Sequence, residues 1–214
     1  MTSSVPETLP QLAFAVEGAE AVRFAAAPTL AFALRIESDL PVRSLALSVQ
    51  IRIVPTRRSY DAADEDGLVE LFGTPERWGE TLRSFLWTNA TLVVPPFEGR
   101  TVAELPVACT YDLEVAATKY FHALGDGDVP LELLFSGTVF YVGDEGQLRT
   151  AKVPWECEAQ FRLPVGVWKE AIARSFPGAA WLRLRQDVFD RLAAYKARGT
   201  HPTWEAAIEE LLER

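Results

Sequence analysis

The chain has 214 residues, 49% hydrophobic and 24% charged, with two cysteines; this is the balance of an ordinary globular protein, long enough to bury its own core without a disulfide framework, and it excludes a disordered chain. A formal net charge of −9 disfavours wrapping around nucleic acid or lying on an anionic membrane, since either partner repels most of such a surface. The opening "MTSSVPETLPQ" has no basic stretch leading into an apolar one, and no apolar run reaches the roughly 18 residues of a membrane helix, so the expectation is a cytoplasmic protein.

Strand signals fill the first two thirds. Leu30, Phe32, Leu34 and Ile36 alternate with Thr29, Ala31, Ala33 and Arg35, and Leu45, Leu47, Val49, Ile51 and Ile53 alternate with Ser44, Ala46, Ser48, Gln50 and Arg52. A period of two marks half-buried strands. The intervening "ESDLPVRS" predicts a turn that joins the two runs as an antiparallel hairpin.

Residues 57–84 break that pattern. A helix over about 62–72 ended by Gly73 is expected, then a second one in which Thr74, Pro75 and Glu76 serve as N-cap, first-turn proline and first-turn acid, with Trp78, Leu82 and Phe85 at helical spacing. The segment reads as a helical insertion covering one edge or end of a sheet.

Strands resume at 85–94. Leu105, Val107, Cys109, Tyr111, Leu113 and Val115 then give the clearest alternation in the chain. Leu131, Leu133, Phe135, Gly137, Val139 and Tyr141 form a further run, turned by "GDEG", and Trp155, Cys157, Ala159, Phe161 and Leu163 the last. Short strands at this spacing without alternating helices predict a mainly β fold: an antiparallel β-sandwich of about seven or eight strands, immunoglobulin-like in general architecture.

From Pro164 the apolar period becomes 3.6. Val165, Trp168, Ile172 and Phe176 define one helix, Val188, Leu192 and Tyr195 a second that stops at Gly199, and a third, capped by Thr203, opposes Trp204, Ile208, Leu211 and Leu212 to Glu205, Glu209, Glu210 and Glu213. The expected organisation is a β-sandwich domain over 1–163 with the insertion at 57–84, and a C-terminal helical segment over 164–214 packed on it.

Candidate chemistry is sparse. "HALGDGDVP" places His122 beside Asp126 and Asp128, but a calcium loop needs more carboxylates and a dinucleotide loop needs a third glycine and a following helix. Glycine and aspartate tolerate positive φ, so a hairpin loop between two strands accounts for the stretch. Cys109 and Cys157 occupy apolar strand phases and read as core residues, and neither they nor His122 and His201 show the local pairs of a zinc site. Ser136-Gly137 lies mid-strand, away from any nucleophile elbow. Glu104, Asp112, Glu114 and Glu132 sit in polar strand phases, where solvent explains them. No catalytic residue, metal ligand or cofactor is assigned.

Arg57-Arg58, and Arg183 with Arg185 around Leu184, could each grip an oxyanion, but a solvated pair is the simpler reading. The preferred interaction surface combines Trp181, Arg183 and Arg185 with the final helix's Trp204, Ile208, Leu211 and Leu212, because aromatic and arginine side chains concentrate at interface centres and an apolar helix stripe must be covered by something.

The phrases "VRSLALSVQIRI", "LFGTPERWGETLRSFLWTNATLVVPPFEG", "VACTYDLEVAATKYFHALGDGDVPLELLFSGTVF" and "VPWECEAQFRLPVGVWKEAI" together resemble a bacterial family known only as a domain of unknown function. The resemblance spans nearly the whole chain. It implies no activity, catalytic residue or cofactor; it implies an accessory or assembly role beside uptake nickel-iron hydrogenase. The expectation is therefore a non-catalytic interaction or assembly factor with a protein partner, with neither nucleic acid nor membrane involved, and a homodimer is compatible with the same surface. The alternative is a small-ligand-binding module or enzyme that uses the end of the sandwich, with the insertion as a lid.

Overall fold

In the computed structural model, which describes residues 9–110, 112–143, 146–178 and 182–213, the organising element is β2, a strand of 25 residues running Thr29–Ile53. The expected hairpin is absent: its two runs are halves of this one strand. No glycine stands in the connecting "ESDLPVRS", and Ser38 and Val42 carry the buried phase across it. A single extra residue then resets the register. Val42 faces Tyr141 and Ser44 faces Phe140, so Arg43 is left unmatched. This bulge moves the inward set from even numbers (30–36) to odd (45–53), and both halves present their apolar side to one core.

Each half has its own neighbours, all antiparallel. β1 (Leu12–Ala21) and β4 (Phe97–Ala108) flank the first half; β3 (Phe85–Val94) and β5 (Asp128–Val142) flank the second. β7 (Glu158–Pro164) pairs with the beginning of β5, and β6 (Leu148–Lys152) with its end. β2 is thus shared by two layers, a way of turning a sandwich corner without a loop. Rings meet between the layers: Phe14 of β1 stacks on Phe135 of β5 at 4.2 Å, and Phe32 of β2 meets Trp87 of β3 and Phe161 of β7 at 6.2 and 5.9 Å. The fold is an antiparallel β-sandwich of seven strands with added helices.

The insertion begins with a 3₁₀ turn, Pro55–Arg57, and α1 (Ala62–Phe72), which ends at Gly73 as expected. Asp61 caps α1, its side chain accepting from the Asp64 N–H at 2.8 Å. The expected second helix shrinks to a 3₁₀ turn, Pro75–Arg77, and one turn, α2 (Trp78–Thr81), and Phe85 opens β3 instead. Trp78 Nε1 donates to Gly73 O at 2.9 Å and Thr81 Oγ1 to Phe72 O at 2.5 Å, which folds the segment back on the end of α1.

Two further expectations fail at strand ends. The 105–115 alternation is strand only to Ala108. Asp112 then makes a side-chain turn, accepting from the Glu114 N–H at 3.0 Å, and α3 (Ala116–Ala123) follows, burying Ala117, Thr118, Tyr120 and Phe121; Tyr111 lies outside the described residues. Trp155 is in a turn and 91% exposed, because Cys157 N–H closes on Pro154 O at 3.1 Å before β7 starts. In "GDEG", Asp144 and Glu145 lie outside the described residues, and Gly143 N–H donates to Gln147 O at 3.0 Å.

Three C-terminal helices follow: α4 (Val165–Ser175), α5 (Gln186–Arg198) and α6 (Trp204–Leu212). α4 belongs to the sandwich, with Trp168 stacked on Phe121 of α3 at 5.0 Å. The chain accordingly divides into compact units at 179/180, after α4, rather than at 163/164 where the period changes. The second unit contains α5 and α6. No helix among the described residues is long and apolar enough to cross a membrane.

Candidate functional site

The glycine-rich stretch beside His122 is a loop between α3 and β5, not a hairpin between strands. Its geometry depends on one buried ion pair. Arg58 Nη2 lies 2.8 Å from Asp64 Oδ2, with the two side chains 10% and 5% exposed. Arg58 also donates to the carbonyls of Asp128 (3.1 Å), Asp126 (3.2 Å) and Ser59 (3.2 Å), and Asp64 Oδ1 accepts from Gly125 N–H at 2.9 Å. The loop's two aspartates thus bond to Arg58 through backbone carbonyls, as structure and not chemistry. Gly127, at φ 80°, supplies the positive backbone angle that the turn needs. Of the Arg57-Arg58 pair, Arg58 is therefore a fastener between α1 and the loop.

Beneath it, Tyr60 lies under the Arg58 guanidinium at 5.2 Å and shares a 2.7 Å hydroxyl contact with Tyr120, while donating to Pro55 O at 2.8 Å. Burial raises the pKa of both phenols above the usual tyrosine value, so both stay protonated and act as hydrogen-bonding groups.

A polar cleft of about 610 Å³ opens beside this fastener, lined by Thr56, Arg57, Arg58, Ser59, Gly127, Asp128 and Arg162. Arg57 Nη2 stands 3.5 Å from Glu132 Oε1, whose other oxygen lies 3.6 Å from Arg52 Nη1. Arg162, on β7, donates to Arg57 O at 3.2 Å. Sequence reasoning found Arg57 and Arg58 but missed Arg162; its one signal was an outward strand phase shared with many other residues.

The remaining candidates do not converge. His122 is exposed on α3, and His201 lies in the second unit with Nε2 3.1 Å from Glu210 Oε2. Cys109 is buried and Cys157 half-buried, both as free thiols. Desolvation pushes the Cys109 thiol up to about 12 and raises Cys157, with Glu156 contributing; such thiols make poor nucleophiles. Among the described residues no three of His, Cys, Asp and Glu gather to hold a metal. Glu132 is an ion-pair partner, Glu104 is exposed on β4, and Asp112 and Glu114 belong to the turn before α3. Ser136 is mid-strand in β5, its hydroxyl donating to Ser48 O at 3.4 Å.

In the second unit, α5 and α6 are held by Phe189 against Trp204 (5.5 Å) and by Lys196, whose Nζ lies over the Trp204 ring (5.5 Å) and donates to His201 O (2.9 Å). Thr203 Oγ1 caps α6, accepting from Ala206 N–H at 3.1 Å. His201 lies where a side chain on Gly199 would stand, which explains the glycine there. Ala207 is the one buried residue described in either helix. Trp204, Ile208, Leu211 and Leu212 are 37–80% exposed. Val188, Leu192, Tyr195 and Leu211, with Arg191 and Arg198, line a groove of about 440 Å³. Arg183 is exposed, Arg185 pairs with Asp187 at 3.0 Å in solvent, and Trp181 lies outside the described residues.

None of the curated proteins matches the chain. Among solved structures, the CARDB domain of the PF1109 protein from Pyrococcus furiosus, crystallised with di-metal ions, is 13% identical, covers 75% of this chain and 92% of its own, and superposes with a TM-score of 0.29. A β-glucosidase from Kluyveromyces marxianus is 7% identical over 72% of this chain and 15% of its own, with a TM-score of 0.27. Likeness at that level carries no functional argument. A family model does match, over residues 9–214 and so over nearly the whole sequence, and the protein is a member of the family of unknown function DUF6084.

Proposed function

We propose that this protein is a non-catalytic, cytoplasmic interaction or accessory factor that engages a protein client through its two C-terminal helices. The observation that supports this reading is the stripe of Trp204, Ile208, Leu211 and Leu212, which stays exposed in a unit with a single described buried residue, Ala207. A two-helix unit of this length is too small to hold a core of its own, and an apolar helix face beside a groove fits docking against a partner. Burial holds the Cys109 thiol and the Tyr60 and Tyr120 phenols protonated, which suits structural roles. The client class that the family resemblance implies is an uptake nickel-iron hydrogenase component.

The test uses tagged full-length protein purified from cells that express it, beside an Ile208→Glu/Leu212→Glu variant whose helicity is checked by circular dichroism. Stoichiometric recovery of a hydrogenase subunit with the native chain, lost in the variant, supports the reading. Equal recovery with both proteins, or no partner with either, overturns it.

A further inference from the structure

We propose that the cleft between the 3₁₀ turn at 55–57, the α3–β5 loop and β7 binds a small molecule through an oxyanion, phosphate or carboxylate, with Arg57 and Arg162 as its recognition residues. This goes beyond the interaction role and concerns the opposite kind of surface, a polar concavity. Three guanidinium groups line it, and their partners are unequal. Arg58 is committed: four of its five N–H groups are spent on Asp64, Asp126 O, Asp128 O and Ser59 O. Arg57 has half a carboxylate, because Glu132 divides itself between Arg57 and Arg52 at 3.5 and 3.6 Å. Arg162 has no carboxylate among the described residues, and its one hydrogen bond goes to the Arg57 carbonyl.

The local balance is therefore positive on a chain whose net charge is −9. Arg52, Arg57, Arg58 and Arg162 stand against Asp64, Asp128 and Glu132, which leaves one cation uncompensated. An oxyanion supplies the missing charge, and guanidinium forks suit its geometry. The hydroxyls of Thr56 and Ser59, also in the lining, offer further donors. Asp128, the one carboxylate among the lining residues, limits the ligand to a single anionic group by repelling a polyanion. The volume of about 610 Å³ falls in the range of small-molecule sites, roughly 300–1,000 Å³. The walls are fixed before any ligand arrives: Val54 N–H bonds to Pro130 O at 2.9 Å, Val165 N–H to Gly127 O at 2.8 Å, and Arg58 clamps the loop.

Calorimetric titration of the full chain at constant ionic strength tests this, with inorganic phosphate in one arm and the monocarboxylate butyrate in the other. The expected result is saturable binding of at least one anion, and the arm that binds more tightly identifies the headgroup. Arg162→Gln and Arg57→Gln each weaken it by about tenfold, the loss of a charge-assisted contact, and Arg162→Lys, which keeps the charge without the fork, weakens it less. Arg100→Gln, which removes an exposed partner of Glu17 on β4, leaves it within about twofold. Saturation by neither anion overturns the proposal, as does unchanged affinity in folded Arg162→Gln and Arg57→Gln proteins.

Discussion

Cys109 shows how far one side chain can be read from its neighbours. Its place in the inward phase of a strand marks it as core, and it is 5% exposed just beyond the end of β4, with its N–H bonded to Pro28 O at 2.8 Å. Burial has a consequence for stability. The thiol is pushed from 9.0 to about 12 in the folded chain, so the folded state holds its proton where the unfolded state releases it. The contribution is complete below pH 9 and falls by roughly 1.4 kcal/mol per pH unit between there and pH 12. A Cys109→Ala variant lacks that decline. Urea unfolding of both proteins at pH 8 and pH 10.5 should show native stability dropping by about 2 kcal/mol more than that of the variant. Asp64, by contrast, was not legible: it stands in "DAADEDG" among three other acids with equivalent carboxylates, and only the fold reveals that it meets Arg58 and the loop.

At the scale of elements, alternation was read correctly and its continuity was not. A period-two pattern that changes phase between 36 and 45 fits two explanations, a turn or a bulge, and the structure uses the bulge at Arg43. The same device recurs in β3, where Ile51 faces Thr88 and Arg52 faces Leu86, so that unmatched Trp87 is aimed at Phe32 and Phe121. α3 was hidden by the preceding alternation, although Ala117, Tyr120, Phe121 and Leu124, all buried, stand at the i, i+3, i+4 and i+7 spacing of a helix face. The bulge makes a sharp prediction. Inserting one alanine after Arg43, with the bulge kept, shifts the phase and turns Leu45, Leu47, Val49, Ile51 and Ile53 outward, so the insertion variant should lose cooperative thermal unfolding, whereas deleting Arg43, which leaves one unbroken inward alternation from Val42 to Leu45, should still melt as one transition.

For the whole molecule, the change from period two to 3.6 at Pro164 marks a change of secondary structure and not the end of the core. The buried apolar cluster includes Val165, Trp168, Ala171 and Ile172 of α4 and contains no residue of α5 or α6. α4 is also tied in by Lys169, whose Nζ donates to Gly125 O at 2.8 Å, and by Arg174, whose Nη1 donates to Ala21 O at 3.1 Å. Two truncations separate the alternatives. A chain ending at Ala179 keeps every member of the cluster and should melt cooperatively within about 4 °C of the full chain, the shift expected from a change near 1 kcal/mol. A chain ending at Leu163 exposes the face of α3 that Trp168 covers; removing one large aromatic alone costs about 3–5 kcal/mol, and four buried side chains leave together. Circular dichroism melts should find that shorter chain unfolded or broadened at 25 °C. The 179-residue chain, retaining the arginine cleft but lacking α5 and α6, then separates the two proposed surfaces: anion binding should survive in it, and client recovery should not.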